Sequence, residues 1–341
     1  MKPHWPREKK VERTIHGTLE KCATSVEQVA RGRWVCVFAN GAEVCVGATV
    51  ADDWLLLDAP FEAHLAPLIQ GAAGADSGSY LRAADLLRRN ATLAGGVKFA
   101  VLSQAPQTRL RAEVPLDEEV DVVRRVRQAC AGLKAAAAGG ASTAHTAPAD
   151  CYPVSTVDTA GDDGSPFDLR CLCSATRWPF IERDASSVAV DLEVPADFRQ
   201  ALVEATNGGG VVVSVDLATC AELASPPCQA AWGLLLLRAC GVVRMARAAA
   251  HTRDGGAATP RFEVVFPDAP AAAELAHAFA TLSVACRLVD REARVLAHDA
   301  AIATEYLRQW NGNDGALNPA DGRILTARGA ERREDQRWDR L

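Results

Sequence analysis

The sequence predicts an α+β protein built from two tandem repeats, each a twisted antiparallel sheet of about five strands with helices packed mainly on one face. Three observations support this. Two parts of the 341-residue chain share a pattern of apolar residues, strand-like and helix-like periodicities follow in the same order in both, and a segment rich in Ala, Gly, Ser, Thr and Pro separates them. The predicted order in each repeat is helix, three strands, helix, two strands, helix.

The domain boundaries follow from where these periodicities begin and end. Residues 1–134 form the first predicted domain and residues 168–310 the second. Residues 135–167 lack sustained periodicity and are predicted to be a flexible linker. Residues 311–341 are polar, with alternating charges and little to bury, so we expect a disordered tail.

Composition excludes several classes of protein. The formal net charge is −6, and basic residues alternate with acidic ones, so we expect no nucleic-acid partner. The first residues are charged and lack the apolar core of a secretory signal. The longest apolar run, 230–243, is too short for a membrane span and contains Arg238. We therefore expect a cytoplasmic protein without membrane contact, with its eleven cysteines mostly reduced and buried.

Residues 33–50 are predicted to form a β-hairpin. Apolar residues alternate on both sides of Asn40-Gly41, a pair that favours a tight two-residue turn. This turn would place Trp34, Cys36 and Phe38 on one face with Cys45 and Gly47, opposite Val35, Val37, Val44 and Val46. Residues 177–194 align with this hairpin without a gap, and Asp184-Ala185 takes the place of the turn.

Helical spacing predicts the elements around the hairpins. The following residues share helical faces: Ile15, Leu19, Cys22, Val26 and Val29 in the first helix, Val123, Val126, Cys130 and Leu133 in a second, and Leu275, Phe279, Leu282, Cys286 and Val289 in a third. The third strands are predicted at 53–59 and 210–218. Between hairpin and third strand, the second repeat inserts residues 195–208, where Phe198, Leu202 and Ala205 also have helical spacing.

A central motif occurs in both repeats. Leu86-Leu87-Arg88 returns as Leu236-Leu237-Arg238, and Glu113-Val114-Pro115 returns as Val265-Phe266-Pro267, at almost the same offset. Ser225 before Pro226 is a typical start of a helix, and Asp117 and Asp268 are predicted to cap the last helix of each repeat.

The segment LLRRNATLAGGVKFAVLSQAPQTRLRAEVPLD, 86–117, resembles the type III secretion chaperone-like superfamily, which includes class I secretion chaperones and YbjN-type domains. The matching residues are Leu87, Asn90, Lys98-Phe99-Ala100 and Glu113-Val114-Pro115-Leu116. In the second repeat Cys240 replaces the Asn, and Arg244-Met245-Ala246 replaces Lys-Phe-Ala. The resemblance implies small α+β domains that pair as dimers and bind client proteins without catalysis.

Two such domains in one chain imply a covalently linked pseudo-dimer. Residues 168–175, DLRCLCSA, stand where the resemblance implies a first helix in the second repeat, and their pattern does not predict one.

The sequence predicts no catalytic, cofactor-binding or metal-binding residues. Cys171 and Cys173 lack a second cysteine pair or nearby histidines, and the acidic segment 158–164 lacks the ligand spacing of an EF-hand. Gly208 to Gly210 precede a strand, whereas a phosphate loop follows one. The seven histidines are scattered, so we expect a protein that is not an enzyme and has no cofactor.

Four aromatic residues are the candidate partner-binding residues: Trp34, Phe38, Trp178 and Phe180. They would lie on the second apolar face of each hairpin, which needs cover on both sides. That cover is either the protein's own helices and the other repeat, or another protein or client peptide. The leading hypothesis is a non-catalytic, chaperone-like binding protein. The alternatives are a regulatory or small-molecule-sensing protein with a pocket between the repeats, and a purely structural pair of domains.

Overall fold

The computed structural model describes twelve stretches of the chain. They are residues 5–39, 43–51, 53–60, 77–94, 96–101, 108–140, 168–184, 186–192, 199–206, 209–217, 225–252 and 258–312. They form unit one (5–140) and unit two (168–312), each with one six-stranded antiparallel sheet. The predicted α+β class and the tandem organisation are confirmed.

The elements of unit one begin and end as follows. In chain order they are α1 (Trp5–Cys22), β1 (Ser25–Ala30), β2 (Arg33–Ala39), β3 (Glu43–Ala51), β4 (Trp54–Pro60), α2 (Ser77–Thr92), β5 (Lys98–Val101), β6 (Thr108–Pro115) and α3 (Val122–Gly140). The first residues of the predicted linker therefore continue helix α3. Residues 141–167, the rest of that linker, lie outside the described residues.

Unit two repeats this order and adds one helix at its end. Its elements are α4 (Leu169–Ala175), β7 (Phe180–Asp184), β8 (Ser187–Leu192), β9 (Arg199–Ala205), β10 (Val211–Asp216), α5 (Pro226–Val242), β11 (Arg247–Thr252), β12 (Ala258–Phe266), α6 (Ala272–His298) and α7 (Ala300–Gly312). Residues 313–341, nearly all of the predicted tail, lie outside the described residues.

The two sheets have the same topology. The strand order is β1-β2-β3-β4-β6-β5 in unit one and β7-β8-β9-β10-β12-β11 in unit two. Each sheet has one strand more than the sequence predicted. In unit one the additional strand is β1, and it contains Val26 and Val29, which were assigned to the first helix. That helix ends at Cys22, and Val29 is 55% exposed because it lies on a strand at the sheet edge.

The first hairpin forms, but its register differs by one residue from the prediction. Phe38 pairs with Val44, and Cys36 pairs with Val46, so three residues rather than two separate the paired ends. A shift of one residue moves every side chain of a strand to the other face. The buried face therefore contains Trp34, Cys36 and Phe38 together with Val46 and Ala48, whereas Val35 and Val37 share the opposite face with Cys45 and Gly47.

The insertion predicted in unit two is a strand, not a helix. Residues Arg199–Ala205 form β9, in which Ala201 and Val203 are fully buried and the residue between them is not. This period of two is that of a strand, and Phe198 lies outside the described residues. The hairpin β7–β8 therefore corresponds to β1–β2. The gapless alignment of 177–194 with 33–50 matched it with β2–β3 instead, which is wrong by one strand.

Three further corrections concern helices. Residues Leu169–Ala175 form a short helix capped by the Asp168 side chain, so unit two does begin with a helix. Asp117 does not cap α3, because the amide of Arg124 donates to Asp121 instead. Asp268 does not cap α6, since Ala271 precedes this helix and its main-chain amide donates to Glu274. Ser225 precedes Pro226 at the start of α5 as predicted, without a side-chain cap bond.

The sheets are buried on the face that their own helices cover. Helix α1 packs on α3, and α3 packs on β6, over the core formed by Trp34, Phe38, Leu55 and Leu57. In unit two, α6 lies over β8, β10 and β12. Part of α6, Ala272–Asp290, is long and apolar enough to cross a membrane. Its Leu275, Phe279 and Leu282 are fully buried in this fold, so α6 is a core helix here.

Candidate functional site: the interface between the two units

Helices α2 and α5, the middle helices of the two units, pack directly against each other. A Cβ placed on Gly233 of α5 would lie 3.1 Å from the Cβ of Ala83 in α2. These two residues stand at equivalent places in the repeat, three positions before the paired leucines Leu86-Leu87 and Leu236-Leu237, which are all buried. Contact between equivalent positions is what a twofold arrangement requires.

Two buried cations follow the same symmetry. Lys98 begins β5, and its Nζ donates to the main-chain oxygens of Val243 (2.7 Å) and Ala246 (3.1 Å) in unit two. Arg247 begins β11, and its Nη1 donates to the oxygens of Leu93 (2.6 Å) and Val97 (3.2 Å) in unit one. Each cation thus satisfies carbonyls just after the middle helix of the other unit, where the helix dipole favours positive charge.

In unit one, Glu113 balances Lys98. Its Oε2 accepts from Lys98 Nζ at 2.7 Å and from the main-chain amide of Met245 at 2.5 Å. Both side chains of the ion pair are only 1% exposed. Burial lowers the pKa of Lys98, and the charge of Glu113 opposes that shift. The other oxygen of Glu113, Oε1, lies 3.7 Å from Arg244 of unit two, so cations of both units surround this carboxylate.

Arg111 extends this cluster. Its Nε and Nη2 donate to the two oxygens of Asp58 at 2.6 and 3.1 Å, and its Nη1 donates to the main-chain oxygen of Gly241 at 3.0 Å. Burial works against the charged guanidinium, but the Asp58 carboxylate outweighs it and raises the pKa of Arg111. The end of α5 is therefore held by two cations of unit one, Lys98 and Arg111.

In unit two, the carboxylate of Glu263 lies at the strand position that Arg111 occupies in unit one. Arg247 pairs with Glu263 across β11 and β12, as Lys98 pairs with Arg111 across β5 and β6. Glu263 accepts from Arg247, His251 and Arg261 at 2.8 to 2.9 Å. Burial alone would raise the pKa of Glu263, but the charges of Arg247 and Arg261 and the hydrogen bond from His251 lower it to about 2.

Asn90 and Cys240 close the central part of the interface. The Asn90 side chain accepts from the Phe99 amide at 2.6 Å and donates to the main-chain oxygen of Ala248 in unit two at 2.8 Å. Cys240, at the equivalent position, accepts from the amide of Ala248 at 2.9 Å. Both residues fix the start of the strand that follows the middle helix, which is a structural role.

A second contact lies at the start of α3. Arg125 donates to Asp268 at 2.5 Å and to both oxygens of Glu274 at 2.5 and 2.7 Å, and its guanidinium stands over the Phe266 ring. At the equivalent place of unit two, His277 lies 3.6 Å from Asp117. The two aspartates predicted as helix caps therefore face the opposite unit instead.

The charged groups of the interface are held mainly by one another. Every carboxylate described above has a cationic or histidine side chain at bonding or near-bonding distance, and Lys98, Arg111 and Arg247 also bond to main-chain oxygens. One buried oxygen, Glu113 Oε1, has no hydrogen-bond partner within the described part of the chain. A general base needs a free lone pair beside open space for a substrate. Among the described residues, no three His, Cys, Asp or Glu side chains lie together in a way that could hold a metal ion.

Of the predicted partner-binding aromatics, Trp34 and Phe38 lie in the core of unit one, whereas Trp178 and Phe180 pack against the core of unit two. Trp34 and Phe38 are 1% exposed, and the Lys134 ammonium of α3 stands 5.1 Å from the Phe38 ring centre. Trp178 is half-buried and contacts Phe279 of α6 edge to face at 5.6 Å. Phe180 is also half-buried. Helix residues of the same unit thus contact Phe38 and Trp178, and the binding of a partner at the half-buried Trp178 and Phe180 stays a prediction.

The outermost strands, β1 and β7, are more exposed to solvent than the interface between the units. They occupy the same end of their sheets, and among the described strands each pairs on one side only. Most of their side chains are exposed, including Val29 at 55% and Ile181 at 59%. Each strand has one half-buried apolar anchor, Val26 or Phe180, packed on the core.

The comparisons with known proteins leave the family open. A scan against models of protein families and a search of curated proteins found no match to this chain.

Sequence reasoning missed the main residues of this interface. Lys98 belongs to the central motif, and the sequence comparison matches it with Arg244, whereas the structure shows Arg247 at the start of β11. A cation at the first position of each matching strand is the signal in the sequence. The repeat offset varies between the motifs, so the alignment does not bring these two cations together.

Proposed function

We propose that this protein binds other proteins without catalysing a reaction, as a chaperone-like covalent pseudo-dimer in the cytoplasm. The observation that carries the proposal is the pair of exposed edge strands, β1 and β7. An exposed edge presents unpaired main-chain donors and acceptors, to which an extended peptide can add as a further strand. Exposed Val29 and Ile181 add apolar surface for the side chains of such a peptide.

The fixed docking of the two units supports the same proposal. The contacts of Lys98, Arg247 and Arg125 cover the opposite ends of the sheets, at β5 and β11, and leave β1 and β7 as the outer ends. Two edges held in one rigid frame can engage two segments of one client. Linked binding of this kind raises the overall affinity through effective concentration.

The alternative, a small-molecule sensor with a pocket between the repeats, has less support. A ligand pocket needs converging polar groups that face open space. The polar groups that converge between the units are Lys98, Glu113, Arg247 and Glu263, and they bond to one another or to the main chain of the other unit.

The test is suppression of aggregation by the full chain. Guanidine-denatured citrate synthase is diluted into buffer with and without this protein, and light scattering records its aggregation. We expect protection by the unaltered protein. The double variant Val29→Lys/Ile181→Lys should lose most of it, because charges at the edge oppose strand addition.

Val242→Lys is the matched control. Val242 is another exposed large apolar residue, 50% accessible, but it lies in helix α5, which contacts β5 and β11 at the opposite ends of the sheets from β1 and β7. Protection should survive this change. Absence of protection by the unaltered protein, or equal loss in the edge variant and in Val242→Lys, contradicts the proposal.

A further inference from the structure

Two thiols meet where the first helix ends. Cys22 is the last residue of α1, and Cys130 lies in the middle of α3. The two helices pack on each other, and the thiols of Cys22 and Cys130 are side-chain partners of each other. Lys134, one helical turn after Cys130, donates to the main-chain oxygen of Cys22, so main-chain and side-chain contacts place the same two residues together.

The two thiols differ in exposure and in charge. Cys22 is half-buried, whereas Cys130 is buried in the core of unit one. The hydrogen bond from Cys130 lowers the pKa of Cys22, and the positive charges of Lys134 and Arg127 add to this effect against partial burial. The same hydrogen bond and deeper burial raise the pKa of Cys130. The more reachable sulfur is thus the better nucleophile.

Two other buried thiols, one in each unit, lack this arrangement. Burial raises the pKa of Cys36 to about 11, and the charges of Cys45 and Cys22 add to this shift. In unit two, burial raises the pKa of Cys173 to about 11. These residues are the internal comparison, because they share burial but lack the partner that lowers the pKa of Cys22.

We propose that Cys22 and Cys130 form a reversible disulfide that ties helix α1 to helix α3 when the protein meets a peroxide. The site is a redox-responsive latch within unit one. It is independent of the proposed protein-binding function, since neither sulfur lies on β1 or β7.

The chemistry has two steps. The Cys22 thiolate attacks one peroxide oxygen, the S–O bond forms, the O–O bond breaks, and hydroxide leaves and takes a proton to become water. Cys130 then gives up its proton and attacks the Cys22 sulfur, the S–S bond forms, the S–O bond breaks, and a second water leaves. Two thiols are oxidised, and one peroxide is reduced to two waters.

Peptide mapping tests the latch directly. The reduced full chain is treated with hydrogen peroxide, free thiols are blocked with N-ethylmaleimide, and trypsin digests the protein without reduction. Cleavage after Lys21, Arg31, Arg127 and Lys134 releases peptides 22–31 and 128–134, each with a single cysteine. We expect these two peptides joined, two hydrogens lighter than their sum, as the main disulfide product.

Variants separate the latch from general oxidation. Cys22→Ser and Cys130→Ser should each abolish the joined peptide, whereas Cys45→Ser and Cys171→Ser, at exposed thiols, should leave it unchanged. Because Cys130 is buried and its variant could fold poorly, the half-exposed Cys22→Ser is the deciding one. Recovery of the two peptides only as separate blocked or over-oxidised species overturns the proposal.

Thermal unfolding gives a second readout. The disulfide closes a long loop between α1 and α3, which restricts the unfolded chain. Peroxide treatment should therefore raise the Tm of the unaltered protein by roughly several degrees. Dithiothreitol should reverse the rise, and Cys22→Ser should not show it. A similar rise in Cys22→Ser also overturns the latch.

Discussion

Unit one and unit two each provide a cation for main-chain carbonyls of the other unit, but their carboxylates lie at different positions. In both, the first residue of the strand after the middle helix is a buried cation that donates to two carbonyls of the other unit. The counter-charges stand at different places. Glu113 lies two positions beyond Arg111 in β6, whereas Glu263 lies at the Arg111 position itself in β12.

The shared feature is the cation at the first position of the strand. The carbonyls just after each middle helix lie at fixed places, and Lys98 and Arg247 reach them from equivalent strand positions. A carboxylate needs only to reach that cation, and several strand positions allow this. The main-chain contacts of Lys98 and Arg247 are therefore alike, whereas the ion pairs differ, and the bond from Arg111 to Gly241 has no counterpart at Glu263.

The largest effect is expected from Lys98→Met, which removes the buried cation of unit one. It leaves Glu113 buried without its nearest cation and leaves two carbonyls of unit two without a donor. The free energy of unfolding, measured by urea denaturation, should fall by roughly 3–5 kcal/mol. Arg294→Met, which breaks an exposed ion pair with Asp290 in α6, is the control and should cost less than about 0.5 kcal/mol. Equal losses in both variants would show that Lys98 is not a critical contact.

Low pH should weaken the ion pairs that Glu263 makes in unit two. The folded-state pKa of Glu263 is about 2, below its ordinary value of 4.5. A lowered pKa stabilises the fold above the ordinary value, and this contribution disappears as the pH falls from about 5 towards 2. The contribution is roughly 3 kcal/mol. Urea unfolding above and below this window should show a smaller acid loss in Glu263→Gln than in the unaltered protein. Parallel pH profiles would contradict the assignment.

A third test compares equivalent positions at the second contact. Arg125→Ala removes hydrogen bonds to Asp268 and Glu274, both partly or fully buried, and should cost about 2 kcal/mol. His277→Ala removes an exposed contact with Asp117 and should cost less than about 0.5 kcal/mol. Urea denaturation of the two variants side by side measures the difference. A reversed order would mean that the contact is stabilised from unit two.

The smallest effect is expected where α2 crosses α5. Gly233→Ala adds a Cβ at 3.1 Å from Ala83, so a small shift of the helices offsets the better helix propensity of alanine. Gly17→Ala in α1 meets open space and should gain up to about 1 kcal/mol. Thermal unfolding should place Gly233→Ala below Gly17→Ala. An equal gain in both would mean that the crossing is looser than the structure shows.

Much of the fold could be predicted because local patterns encode it. The spacing of Leu275, Phe279 and Leu282 predicted a buried helix, and these residues are fully buried in α6. The Leu-Leu pairs predicted the middle helices, since the repeat offset is nearly constant there. The errors fell where local patterns are ambiguous. Leu202 and Ala205 fit a helical spacing by chance, although Ala201 and Val203 alternate as in a strand.

The candidate site was much harder to predict. Lys98 and Arg247 look like ordinary strand residues, because their partners lie far away in the sequence and are main-chain oxygens without any sequence signal. The aromatics Trp34 and Phe38 were correctly seen as apolar, but whether helix or partner covers them depends on packing. The exposed edge strands also became visible only once the strand order was known.

Periodicity and repetition are properties of the chain, so the α+β class, the tandem repeat and the order of most helices and strands follow from the sequence. The hairpin register, the extra strand in each sheet and the exchange of cations between the units emerge in the folded protein alone. Register and docking depend on contacts between distant segments. A single residue in a turn, or one buried carbonyl without a donor, decides these contacts, and neither changes the local pattern.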